Sequence, residues 1–372
     1  MNRIAIIGAS YLQLPLVKKA SEMGLETHCF AWEDGAICKD FADVFYPISI
    51  TEKESILDVC RRVNVDAVVT IASDLAVLTV NYVAEHLGLI SNPMQFSEIT
   101  TNKYQMRKCF MEHQIPSPRF SVTHGLIPED IELFRFPVIV KPTDRSGSRG
   151  VEKVNSEKDL KNAIIRACES SFLKEAIVEE FVDGREISVE SISFEGTHHV
   201  LQVTDKITTG APFFVELEHH QPSSLPKIVL DRVKMIVLNA LDALHIRYGA
   251  SHAELKINDE GDIRVIEIGA RMGGDFIGSD LVKLSTGYDF LKGVIDVSLG
   301  DFREPEFGLH KCSGVFFLSE ETRRLKSVIE NWRQYPEIVE AKITDPVLRR
   351  IQCSGDRSGY LIYQADRRIQ IL

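Results

Sequence analysis

The sequence predicts a mixed fold, α/β at its start and α+β beyond, with a parallel sheet at the amino end. Three observations carry this. The first hundred residues alternate short apolar runs with helix-length amphipathic runs, the βαβ rhythm of a parallel sheet covered by helices. That rhythm breaks between residues 91 and 118, after which short strands surround one clear helix. A hairpin, "SHAELKINDEGDIRVIEIGA" (251–270), then follows with the period-2 alternation of paired strands.

Taken in order, "RIAIIGA" is a buried strand, "LPLVKKASEMG" a helix closing at Gly24, and "ETHCFAW" a second strand. "VFYPI" adds a short strand, "KESILDVCRRVN" a helix, "DAVVTIA" a buried strand and "LAVLTVNYVAEHLG" another helix. Gly8-Ala9-Ser10 follows the first strand, but the G-x-G-x-x-G of a dinucleotide site is absent, which counts against NAD. A helix is expected from about Lys103, stopped before Pro116. Beyond it, "SEKDLKNAIIRACESS" is a helix among strands, and 205–226 reads as irregular. "KIVLDRVKMIVLNALDALH" and "DFLKGVIDVSLG" are helices flanking the hairpin. The tail from about 301 has strands at "KCSGVFFLS" and "SGYLIYQA" and a helix near "EETRRLKSVIENW".

A formal net charge of −11 argues against broad binding to nucleic acid or anionic membranes. No apolar run approaches the roughly 20 residues needed to span a bilayer. The start reads as a strand rather than a leader, so a cytoplasmic location is expected. Seven scattered cysteines without a CxxC pair fit reduced, mostly buried thiols. The pairs His198-His199 and His219-His220 have no cysteine companions at zinc spacing and read as loop or strand-edge residues.

Chemistry concentrates in four places. "FPVIVKPTDRSGSRGV" (136–151) ends a strand in Lys141 and follows it with a flexible Ser/Gly run, the reverse of a P-loop's order. In the hairpin, a turn centred between Glu260 and Gly261 makes Glu254 face Glu267, Leu255 face Ile266 and Ala253 face Ile268. Carboxylates directly opposite repel unless a cation lies between them, and Mg²⁺ is the hard ion that shares such ligands with phosphates. Two solvated glutamates on an exposed hairpin are the plainer alternative. "GARMGGD" adds Arg271, whose planar fork suits a phosphate or a carboxylate. "AIVEEFVDGREISVESI" can offer backbone groups to a base edge and Glu186 to ribose hydroxyls, or it is an ordinary hairpin with exposed acids.

Together these elements resemble the ATP-grasp enzymes, in the same order: "NKYQMRK", "VIVKP" with its Ser/Gly loop, "EEFVDGRE", "HAELK" and "VIEIGARMGG". The resemblance implies an ATP-grasp fold: a Rossmann-like N-terminal domain (1–100), a two-lobed ATP-binding core (101–300, lid lobe about 115–185) and a small C-terminal α+β lobe (301–372). It also implies a site. Lys103 and Lys141 contact ATP phosphates, with Ser146, Gly147, Ser148 and Gly150 closing over them as a lid. Glu179, Phe181 and Val182 meet the adenine, and Glu186 the ribose. Glu254 and Glu267 hold Mg²⁺, which Mn²⁺ could replace, and Arg271 stands near the γ-phosphate or an acyl phosphate. Where many members carry Asn two residues after the second metal glutamate, this chain has Gly269, so a second ion needs water, a bridging Glu267 or another group such as Asp275.

Within the family, "HAELK" with "EIGARMGGD" looks most like the amino-acid and dipeptide ligases. That branch activates a carboxylate as an acyl phosphate, which an amine attacks to give an amide, ADP and phosphate. The implied partners are a small-molecule acid and an amine, and similar enzymes are commonly homodimers. Phe213-Phe214, Glu216 and His219-His220 could shape the acceptor pocket, or pack as an irregular segment on the core. A purine-pathway or carbamoyl-phosphate type of ligase or carboxylase, and a non-catalytic ATP-binding module, are the alternatives.

Overall fold

The computed structural model describes residues 2–147 and 149–371, built around three sheets. The first is wholly parallel, ordered β3-β2-β1-β4 from β1 (Arg3–Ile7), β2 (Glu26–Phe30), β3 (Val44–Tyr46) and β4 (Ala67–Val69). Its crossovers are α1 (Leu14–Glu22), α2 (Lys53–Val63) and α3 (Asp74–Leu87). Ile56, Leu57, Val59 and Cys60 give α2 one buried stripe at helical spacing, packed on the sheet with Ala76, Val83 and Ala84 of α3. Ser73 caps α3 by accepting from the Ala76 N–H, and Gly88 ends it in the left-handed region.

After α4 (Lys103–Glu112), capped by Asn102, comes a small antiparallel sheet ordered β5-β8-β6-β7. It comprises β5 (Phe120–Thr123), β6 (Val138–Pro142), β7 (Glu152–Val154) and β8 (Ala176–Glu180), with α5 (Glu157–Ser170) packed on one face.

The third sheet has eight antiparallel strands, ordered β13-β12-β9-β10-β11-β14-β16-β15. They are β9 (Arg185–Phe194), β10 (Thr197–Thr208), β11 (Glu216–Gln221), β12 (Gly249–Ile257), β13 (Ile263–Gly269), β14 (Cys312–Leu318), β15 (Ile338–Ile343) and β16 (Gly359–Ala365). α6 (Lys227–Ala243) covers β9, β12 and β13 through Val233, Val237 and Leu241. A π turn (Ile277–Leu281) runs into α7 (Val282–Thr286), and α8 (Phe290–Leu299) packs back on the first sheet with α1. α9 (Leu325–Glu330) covers the last strands and is shorter than the sequence pattern predicts.

Four expectations change. The stretch 205–226 is not all irregular: it holds the end of β10 and all of β11. His219 and His220 therefore lie buried mid-sheet between β10 and β14 rather than at an edge. Within the tail, "IVEAKI" forms β15, and the tail's strands extend the large sheet. In the hairpin, Glu254 does face Glu267 and Ala253 faces Ile268, but a β-bulge follows, so Leu255 faces Val265. The bulge puts Val265 in the core and turns Ile266 to the same side as Glu267. Arg107 of α4 donates to the Ile266 carbonyl at 2.6 Å, taking up a group that the interrupted ladder leaves free.

Gly184 links β8 to β9 with φ of +115°, and a Cβ there would lie 2.1 Å from the Ile257 carbonyl oxygen. Gly184→Ala is expected to destabilise the protein by about 1–3 kcal/mol from the backbone conformation alone. Equal urea midpoints for variant and parent would refute this.

The cysteines are unpaired, with Cys29, Cys38, Cys60, Cys109 and Cys168 buried. Among the described residues no helix is long and apolar enough to cross a membrane.

Candidate active site

The small sheet, the large sheet and the start of α3 enclose a cleft with an empty volume of about 1130 Å³, part of it open to solvent. β12 turns His252, Glu254 and Lys256, at alternate positions, into it.

On β6, Ile139 and Lys141 point to the same side, and β8 sets Glu179 opposite Ile139. Lys141 Nζ lies 2.6 Å from Glu179 Oε2. Arg107 Nε lies 2.7 Å from Glu179 Oε1, an ion pair off the line of a hydrogen bond. All three are buried. Burial would raise the Glu179 carboxyl, but Arg107 and Lys141 bring it below the ordinary value. Burial pushes the Lys141 ammonium down against the pull of Glu179. Glu179 thus lines the cleft with both oxygens facing cations.

Lys103 opens α4, and its Nζ donates to the Arg145 carbonyl at 2.7 Å and to Glu267 Oε1 at 2.9 Å. It ties the Ser/Gly loop to the hairpin. Ser146 and Gly147 line the cleft, whereas Gly150 turns against Pro142 and Ser170. Ser148 lies outside the described residues. Phe181 and Val182 line the opposite wall, where Lys153 Nζ sits 3.6 Å from the Phe181 ring centre.

Glu254 and Glu267 reach the cleft floor. Glu254 Oε1 accepts from Lys206 Nζ at 2.6 Å and lies 3.3 Å from His252 Nε2. Lys206 also meets Glu186 at 3.0 Å and Glu216 at 3.5 Å. Burial would lower the Lys206 ammonium, but these three carboxylates hold it well above its ordinary value. Burial would likewise raise Glu254, yet Lys206 and His252 carry it well below the usual carboxylate range. His252 is pushed down by burial and lifted by Glu190 to about 9, so it is an imidazolium.

Asp74, the first residue of α3, takes Arg271 in a fork: Nε to Oδ1 at 2.8 Å and Nη2 to Oδ2 at 3.2 Å. Gly269 now has a reason. A Cβ there would lie 2.6 Å from Asp74 Oδ1, so Asp74 occupies the space into which a side chain at 269 would grow. Asp275 is held by Arg357 Nη1 at 2.7 Å, and among the described residues no group of three or more His, Cys, Asp or Glu gathers at metal-binding spacing. The structure therefore gives no support to Asp275 as a further metal ligand.

The donor set nevertheless suits a hard cation. Glu254 and Glu267 stand opposite each other with side chains 29% and 24% exposed, and their named cation contacts all use Oε1. Two such carboxylates match an ion that completes its shell with phosphate oxygens and water.

The structure thus gathers Lys103, Lys141, Ser146, Gly147, Glu179, Phe181, Val182, Glu186, Glu254, Glu267 and Arg271 in one cleft. Sequence reasoning missed Asp74, Lys206, His252 and Lys256, which share it, and the apolar walls Ile139 and Ile266. One signal was available for two of them: His252 and Lys256 lie two residues either side of Glu254 on one strand, so alternation puts all three on one face.

Residues 134–280 match the family model of the ATP-grasp domain. The chain is similar to the D-alanine–D-alanine ligase of Bordetella petrii, at 26% identity over 166 residues, 41% of this chain and 49% of that protein. The similar ligase of Francisella tularensis subsp. novicida is 27% identical over 186 residues, 49% of this chain and 61% of its own length. The chain thus spans about half to three-fifths of the length of these curated relatives. Among solved structures, an L-amino acid ligase from Bacillus licheniformis superposes with a TM-score of 0.82 at 24% identity, over 99% of this chain and 94% of that one. N5-carboxyaminoimidazole synthetase from Staphylococcus aureus, complexed with ADP, gives 0.81 at 16%, over 98% and 94%. Phosphoribosylglycinamide synthetase from Anaerococcus prevotii gives 0.77 at 19%, over 98% and 94%. The chain carries an ATP-grasp domain and has the ATP-grasp fold throughout.

Proposed function

We propose that this protein is an ATP-dependent ligase that activates a carboxylate as an acyl phosphate and joins it to an amine, releasing ADP and phosphate. The observation that carries this reading is the set of cation–carboxylate pairs on the cleft floor: Lys103 with Glu267, Lys206 with Glu254, and Arg271 with Asp74. Each can exchange partners. When a triphosphate enters, Lys103 and Lys141 turn to its oxygens, which frees Glu267 for a divalent cation, and Glu254 offers the oxygen that Lys206 and His252 leave open. Such an ion, Mg²⁺ or Mn²⁺, would supply charge neutralisation between phosphates. Ile139 and Ile266 offer flat apolar walls for the base, and Glu186 lines the same cleft for the ribose. The remainder is positioning and electrostatics. A carboxylate oxygen attacks the γ-phosphorus and ADP leaves with the bonding pair. An amine nitrogen then attacks the acyl carbon, phosphate leaves, and the nitrogen gives up a proton. Arg271 neutralises the acyl phosphate, and Asp74 keeps its fork oriented.

Relatives named as D-alanine–D-alanine ligases and a similar fold named as an L-amino acid ligase favour amino-acid-like substrates. We divide the chain accordingly into an N-terminal unit (1–100), an ATP-binding unit (101–300) and a C-terminal unit (301–372). The test is a pairwise screen of small acids and amines for ADP release, with hydroxylamine as a trap. Hydroxamate formation that depends on both ATP and acid is expected. AMP and pyrophosphate as products would sink the reading. The likeness to N5-carboxyaminoimidazole and phosphoribosylglycinamide synthetases supports a second reading, on a ribonucleotide substrate. ADP release with bicarbonate or a phosphoribosyl amine, and with no amino acid, would establish that one instead.

A further inference from the structure

Beside the cleft, one charged cluster takes no part in the nucleotide scheme. Arg357, from the segment before β16, reaches back across the large sheet. Its Nη1 donates to Asp275 Oδ2 at 2.7 Å, and its Nη2 donates to Glu216 Oε2 and to the Glu216 carbonyl, each at 3.0 Å. The guanidinium face lies 3.8 Å from the centre of the Phe317 ring. Four directions therefore fix one side chain.

Exposure within the cluster is uneven. The Arg357 side chain is 7% exposed, while those of Asp275 and Glu216 are 24% and 22% exposed. Glu216 also lines the cleft, and both carboxylates are more open than the cation that holds them. Asp275 is held there at a backbone cost, since it and Phe276 both adopt positive φ, +51° and +67°. His219 adds an independent sign of a missing partner. It is 1% exposed, its Nε2 lies 4.0 Å from Asp275 Oδ2, and neither ring nitrogen has a hydrogen-bond partner among the described residues. Arg357 Nε is likewise buried without one.

We propose that Asp275, clamped by Arg357 and flanked by Glu216, is the receptor for an ammonium group on the acid that this site activates. The inference rests on the ligase reading and narrows it to acids that carry a positive charge. Asp275 follows Arg271 by four residues on one segment, so the two offer a carboxylate's partner and an ammonium's partner side by side in sequence. Arg357 is a positioning residue: using both arms of its fork, it holds two carboxylates adjacent where they would otherwise repel.

Four matched acids test this by titration calorimetry on the full chain with ADP and Mg²⁺: hexanoate, norleucine, 6-aminohexanoate and lysine. Norleucine places the ammonium on the α-carbon and 6-aminohexanoate at the chain end, so they distinguish its two sources. At least one of them is expected to bind about 10-fold or more tightly than hexanoate, the strength of a charge-assisted hydrogen bond. Asp275→Asn should erase that ratio, Arg357→Met should reduce it, and Arg357→Lys should restore part of it. Nucleotide binding reports whether each variant is folded. Equal or absent binding of all four acids overturns the proposal, as does a ratio that survives in Asp275→Asn. Selective binding without ADP release on adding any amine would sink the ligase reading and leave the receptor standing.

Discussion

Glu267→Gln is expected to lower ADP formation by about 100-fold or more while leaving the fold intact. The amide keeps the shape of the side chain but loses the charge that a divalent cation needs, and it weakens the pair with Lys103 Nζ at 2.9 Å. Lys103 retains the Arg145 carbonyl, so the Ser/Gly loop stays tethered. The buried Lys103 loses its charged partner but can still donate to the amide oxygen and to the Arg145 carbonyl, which limits the cost in stability. Higher Mg²⁺ should recover some of the loss, which steady-state ADP release against metal concentration would measure. Turnover near that of the parent, at ordinary metal concentration, would remove Glu267 from the metal site.

The second large effect is on stability and centres on Arg107. Arg107→Met is expected to destabilise the protein by about 3–5 kcal/mol, the usual cost of stripping one partner from a buried ion pair. Glu179 would keep Lys141 at 2.6 Å but lose its second cation, and the bulge carbonyl of Ile266 would lose its donor. Lys141→Met should act differently. Arg107 still neutralises Glu179 and still holds the Ile266 carbonyl, so stability falls less while nucleotide affinity falls more. Urea unfolding and ADP titration on both variants separate these outcomes, and equal stability losses would refute the division of labour. Adding Glu179→Gln to Arg107→Met should deepen the loss, because the buried Lys141 ammonium then has no carboxylate beside it.

Much of this site was legible because its parts obey local periods. Alternation placed Glu254 against Glu267, and a strand-borne Lys141 ahead of a Ser/Gly loop marked a segment that lines the cleft. What the sequence hid is of two kinds. A β-bulge leaves no local signature: "VIEI" alternates as well with the bulge as without it, so Ile266 read as core. "ELEHHQ" has no apolar alternation, yet β11 is a mid-sheet strand, its His220 satisfied by Tyr363 at 2.9 Å and Glu218 at 2.7 Å. The other kind is distance along the chain. Asp74 and Arg271 are paired across most of the fold, and so are Arg357 and Asp275. No period connects such residues; only the folded sheet brings them together.

The return of α8 to the first sheet has a consequence for the order in which the chain is made. β1 to β4 can complete their hydrogen-bonded ladder early, and α2 and α3 can cover one face at once. The other face, with Ile4, Ile6 and Val69 beneath α1, is finished only by Phe290, Val294 and Ile295. During synthesis that surface waits roughly 10–40 s for its cover at ordinary elongation rates. The amino-terminal sheet is therefore first to be made and among the last to be sealed.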